Sequence, residues 1–250
     1  MTTPVVCLVA CQDQLVQDEC DEVTNFLEQN PNFKTVLKSL DDDSNINFEK
    51  SCSKFESVNT IIFEEGTPNE PEVRIPTGLT NKFQAFAHYH YETTSTPEGD
   101  TESVFSLDDL IEIARLASFD QLDDNFVTFL STGKGTYYAF TIGDDQKFLN
   151  AMDYLLNPEM PQTSDLNVMN IWDENKIKWQ EFKNKFYSNK NSKIKASNLD
   201  NTEVLGAFLE LLNEADLGLN MFKADQDFNT FSKVTYDPNS PNNIKEDNCN

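Results

Sequence analysis

The chain has only two histidines, and they stand two apart in the run Gln84-Ala85-Phe86-Ala87-His88-Tyr89-His90. The run reads as a strand. Residues i and i+2 of a strand point to one face, so both imidazoles are expected to project into one place. Such a pair can bind a metal, or it can be two half-buried structural histidines on a sheet face. Downstream, Phe105-Ser106-Leu107-Asp108-Asp109 sets a hydroxyl and a carboxylate three apart at a predicted helix start, where they share one helix face. Two imidazoles and a carboxylate, His88, His90 and Asp109, make a three-ligand zinc set with one position left for water. That is the layout of a catalytic site, because structural zinc is usually closed by four protein ligands. Ser106 also has a plainer role open to it, as the N-cap of the helix.

The elements that must position these residues follow from periodicity. Residues 22–40 carry Val23, Phe26, Leu27, Phe33, Val36, Leu37 and Leu40 at helical spacing, and Pro31 divides them into two helices. After an acidic break at 41–44, residues 47–63 hold short segments of strand character, followed by a turn-rich stretch at 65–71. The histidine strand spans 83–90, and a loop with Pro97 and Gly99 leads to a helix over 106–118. Strands at 126–132 and 136–142 flank Gly133-Lys134-Gly135, which is a hairpin turn because the spacing of a phosphate-binding loop is missing. A helix follows at 145–156, and Pro158 and Pro161 mark a linker. Beyond it lie a basic, aromatic-bearing helix at 172–186 and an amphipathic helix at 202–213. The basic tract 183–195 reads as a solvated face and loop, with an anionic partner as the alternative. From 235 onward the asparagine- and proline-bearing sequence reads as a poorly ordered tail.

Composition limits the partners. With 43 acidic against 19 basic residues the formal charge is -24, which repels a phosphate backbone, so no nucleic-acid partner is expected. The same acidity serves solubility or attracts a basic substrate. No stretch approaches the roughly 20 apolar residues of a membrane span. The five cysteines form no Cys-x-x-Cys pair, and a Cys20 to Cys249 bridge would tie the two ends together. The His-x-Glu and Pro-Cys-x-x-Cys pattern of zinc deaminases is absent. The start, MTTPVVCLVAC, lacks the positive charge of a usual export signal. Its Leu8-Val9-Ala10-Cys11 nevertheless looks like the box at which bacterial lipoproteins are cleaved, which makes Cys11 a candidate lipid-anchor site. A buried first strand or a disordered leader is the alternative. The expected location is therefore the cytoplasm or the cell envelope.

His-x-His followed by Ser-x-x-Asp, with a glutamate upstream, resembles the signature of the JAMM (JAB/MPN-type) zinc metalloproteases over roughly residues 20–156. Within that family the quoted runs look like uncharacterised bacterial, especially Bacteroidetes-type, members. The resemblance implies an α+β fold, a mixed β-sheet flanked by helices, followed by a small, mostly helical C-terminal segment. The implied division is a leader at 1–19, the metalloprotease-like domain at 20–157, a linker at 158–164, the helical segment at 165–234 and a polar tail at 235–250. It further implies Zn2+ on His88, His90 and Asp109, an oxyanion-stabilising Ser106, and a glutamate as general base. Glu49 fits the family's order, whereas Glu64 and Glu65 read as exposed hairpin acids. The activity implied is zinc-dependent hydrolysis of a peptide or isopeptide bond in a protein or peptide. The alternative is a catalytically silent relative serving as a binding module. Two features depart from the family: Tyr91 stands where a proline often follows the second histidine, and the interval to Ser106 is long, carrying Glu92, Glu98, Asp100 and Glu102.

Overall fold

Pro31 has no N–H to give a preceding turn, and the chain breaks there into α1 (Val5–Gln29) and α2 (Pro31–Ser39), with the proline as the first residue of the second helix. The computed structural model describes residues 5–41, 46–68, 81–92, 101–159, 161–163, 166–188 and 191–249, with backbone alone for 5–13 and 15. The expected loop acids Glu98 and Asp100 lie outside these residues. α1 runs unbroken through residues 19 and 20, and its helical start at Val5 replaces the first strand considered for this region.

The succeeding elements are β1 (Lys50–Phe55), β2 (Ile61–Glu65), β3 (Phe83–His90), α3 (Leu107–Ser118), β4 (Leu122–Thr132), β5 (Tyr137–Ile142) and α4 (Asp145–Leu156). They continue with α5 (Leu166–Phe182), α6 (Asn201–Ala215), β6 (Leu219–Ala224), β7 (Phe231–Tyr236) and β8 (Ile244–Asn248). The fold is α+β, and the eight strands form one mixed sheet in the order β2-β1-β3-β4-β5-β6-β7-β8. Neighbours pair antiparallel except β3 and β4, which run parallel and need a crossover; α3 supplies it.

Because successive strand residues point to opposite faces, the sheet carries two cores. Ala87, Phe129, Ala139 and Phe222 pack under α1 and α2, where the rings of Phe26, Phe33 and Phe129 meet with centroids 5.4 to 6.0 Å apart. Phe86, Leu130, Phe140 and Met221 face α3, α4, α5 and α6. α5 is tied to α4 by two indoles: Trp179 Nε1 donates to the Ala151 carbonyl at 2.7 Å, and Trp172 Nε1 to that of Asn157 at 3.1 Å. Among the described residues no helix is long and apolar enough to cross a membrane.

The C-terminal part departs from expectation. Residues 219–248, expected as the end of a helical segment and a polar tail, add three strands to the same sheet. β8 was hidden by its polar composition, because it is an edge strand with charged side chains, among them Lys245 and Asp247 paired at 2.5 Å. The turn before it is built by Asp237, whose carboxylate accepts from the Asn239 N–H at 2.9 Å and the Ser240 hydroxyl at 2.6 Å. Gly206 lets this return loop press on α6, since a Cβ there would overlap the Asn242 carbonyl oxygen.

Just past β8, Cys249 is bonded to Cys20 of α1, closing 229 residues of chain. Constraining so long a loop in the unfolded state stabilises the fold by about 2 to 5 kcal/mol. Cys249→Ser should lower the urea unfolding midpoint accordingly, and the difference from wild type should vanish when both are measured in reductant. Gly206→Ala should cost about 1 to 3 kcal/mol through the steric conflict, read in the same assay.

Candidate metal centre

His88 and His90 stand at the C-terminal end of β3, a strand flanked on both sides and covered on both faces. Phe86, His88 and His90 share the face toward α3, and both histidines are only 2% exposed. Ser106 is the N-cap of α3. Ser106 Oγ accepts from the Asp109 backbone N–H at 3.1 Å, and the Ser106 N–H donates to Asp109 Oδ2 at 2.6 Å. This reciprocal capping box holds the Asp109 carboxylate at the helix start, where the helix dipole favours negative charge.

The three side chains converge. His88 Nε2 lies 3.1 Å from His90 Nε2 and 3.1 Å from Asp109 Oδ1, and His90 Nε2 lies 3.4 Å from Asp109 Oδ2. A tetrahedral zinc with bonds of ~2.0–2.1 Å sets its ligand atoms roughly 3.3 Å apart, so this spacing suits one cation shared by three donors. The donor chemistry fits as well. His90 Nδ1 is 2.9 Å from the Glu102 carbonyl oxygen, which only accepts, so in the neutral ring Nδ1 carries the proton and Nε2 keeps the lone pair. His88 Nδ1 is buried without a partner among the described residues, as is the hydroxyl of Ser51, which pairs with His88 across β1 and β3.

Glu49, the residue before β1, is 6% exposed and places Oε1 3.9 Å from His90 Nε2, beyond direct hydrogen bonding. Burial raises its carboxyl above the ordinary carboxylate value, against the pull of His90 and His88. Glu64 and Glu65 end β2, the edge strand, and are not among the residues that line the cleft. Burial alone would raise Asp109 and lower His90. The two histidines instead hold Asp109 well below its usual value, and the hydrogen bond and charge of Asp109, then Glu49, push His90 up to about 9.

These groups line a cleft of about 1360 Å³, together with Ser106, Phe105 and Tyr187. Leu107, Ile111, Phe119 and Leu155 give it an apolar flank beside Arg115. The five site residues expected from sequence, Glu49, His88, His90, Ser106 and Asp109, therefore meet in one cleft. Sequence reasoning missed the Glu102 carbonyl, a backbone group that no side-chain pattern reveals, and Tyr187, which lies in the basic tract read as a solvated face. No family model matches the chain, and no curated protein or solved structure gives a significant match.

The raised value of His90 has a definite sign. Its folded pKa of about 9 exceeds the unfolded value of about 6.5. The stability it contributes is thus fully present below about pH 6.5 and is lost as pH rises through about 9. Metal-free protein should melt at progressively lower temperature over that window, while a bound divalent cation, which replaces the proton, should flatten the decline. Zinc affinity should rise over the same window with release of about one proton, measured by titration calorimetry in buffers of different ionisation enthalpy. A pH-independent affinity would remove His90 from the ligand set.

Proposed function

We propose that the protein is a zinc-dependent hydrolase of peptide or isopeptide bonds, with a site like that of the JAMM metalloproteases. The observation that carries this reading is the convergence of His88, His90 and Asp109 within one cleft, with a buried carboxylate beside them. Zinc bound there would lower the pKa of water to about 7 and polarise a substrate carbonyl.

The chain's own residues do the rest. Glu49 accepts the proton of the attacking water, a role that its raised carboxyl pKa suits, because a general base works best near the operating pH. The low exposure of Glu49 and of both histidines keeps bulk water from screening this transfer. Ser106 uses one lone pair to cap α3, and its hydroxyl proton remains free to donate to the developing oxyanion. The apolar flank at Leu107, Ile111 and Phe119 would bind a substrate side chain, and a peptide or protein is the substrate proposed. The Cys20 to Cys249 disulfide favours an oxidising compartment, and so the cell envelope over the cytoplasm.

The test separates ligands from base. His88→Ala or Asp109→Ala should remove zinc from protein purified without a histidine tag, as elemental analysis would register. Glu49→Gln should keep zinc and lose about 10²-fold or more in cleavage of a peptide library. Ser106→Ala should slow turnover about 10²-fold with zinc retained, alongside about 1 kcal/mol of stability lost with the cap. A zinc-loaded wild type that binds peptides and cleaves none would favour the silent binding module instead.

A further inference from the structure

Tyr187 lines the same cleft as His88, His90, Ser106 and Asp109, and its hydroxyl oxygen is buried with no hydrogen-bond partner among the described residues. A buried phenol nearly always finds a partner, so a group left idle at the edge of a binding cleft calls for a ligand. The local backbone is unusual too. α5 ends in a single turn of π-helix, Lys183–Ser188, and such turns recur at functional sites because the extra residue re-aims a side chain.

The turn is anchored by the two residues that precede Tyr187. Phe186 is buried in the core, and its carbonyl accepts from the Ile194 N–H at 3.2 Å. Lys185 pairs with Glu210 and Glu214 of α6, each at 2.8 Å. The phenol is thereby presented by a fixed frame rather than a loose loop. Burial first, then the charges of Glu102, Asp109 and Asp108, hold it well above the ordinary tyrosine value, so it stays a donor.

We propose that Tyr187 is a second hydrogen-bond donor of this site, contacting the carbonyl oxygen of a bound peptide; the inference rests on the hydrolase reading above. As the oxygen of water bonds to the carbonyl carbon, the carbonyl π pair moves onto its oxygen, and Glu49 holds the proton released. The Tyr187 hydroxyl donates to that oxygen without giving up its proton. When the pair returns, the C–N bond breaks and the amine leaves with the proton from Glu49. Ser106 serves the same oxygen less freely, because its own orientation is fixed by the cap on Asp109.

The experiment uses Tyr187→Phe in the full chain loaded with cobalt(II). Acetohydroxamate is titrated in and followed by visible absorption, beside cleavage of a peptide library by the zinc form. The variant should take up cobalt as wild type does, bind acetohydroxamate about 10-fold more weakly, and lose about 10²-fold in kcat with little change in KM. Unchanged acetohydroxamate affinity overturns the role of Tyr187 and leaves the hydrolase reading standing. Weakened acetohydroxamate binding with no cleavage by either protein supports the Tyr187 contact while the hydrolase reading fails. Absence of cobalt uptake in wild type overturns both.

Discussion

Antiparallel neighbours can be joined by a tight turn, but β4 runs parallel to β3, so the chain leaving His90 must travel back along the sheet before re-entering it. α3 is that return path. Its N-terminus consequently starts close to where β3 ends, and the first helical turn faces the last residues of the strand. This one pairing brings Asp109 to His88 and His90, although they are distant in sequence. The capping box then fixes the carboxylate's direction, since Asp109 is held by the Ser106 N–H while its own N–H holds Ser106 Oγ.

The price is electrostatic. Two imidazole nitrogens 3.1 Å apart cannot both present lone pairs without a proton or cation to share, and burial disfavours the charge that would relieve them. A buried ion pair of this kind is weak support for a fold, because desolvation offsets much of the attraction. Stability must come from elsewhere, and the molecule has other sources: two apolar cores on a continuous eight-stranded sheet, and a disulfide from α1 to the end of β8. A group of side chains whose desolvation offsets much of its own attraction, and which is held in one geometry by the backbone, is better explained by a ligand than by packing.

The chemistry was legible where it was local. His88 and His90 share a face because a strand repeats every two residues, and Ser106 and Asp109 meet because a helix start repeats every three to four. Pro31 and Gly133-Lys134-Gly135 likewise mark their breaks within a few residues. What was not legible depended on pairing across the chain. After Ile244, β8 offers only Lys-Glu-Asp-Asn, with no apolar alternation to reveal a strand, yet its backbone bonds to β7 do not depend on side-chain type. The Glu102 carbonyl that sets the His90 tautomer carries no signature, since any residue there would present the same oxygen. Glu49 could be ordered along the chain, but its burial follows from β1 lying between β2 and β3, which periodicity cannot tell.

The cleft is also divided by function of atom. Glu49, from the β1 side, offers an acceptor; Ser106 from α3 and Tyr187 from the π-helical turn offer donors. Under the proposed hydrolase reading, a carbonyl compound polarised between them would have one orientation available, oxygen toward the donors and the attacked carbon open toward the acceptor. The donors come from elements on the α3 to α6 face and the acceptor from the end of a strand beside β3. A change in how those helices pack on the sheet would therefore alter the donor positions while leaving His88, His90 and Glu49 in place. In the hydrolase proposed above, discrimination between substrates would reside in that helical layer, and two of the three groups that could hold a metal reside in the sheet.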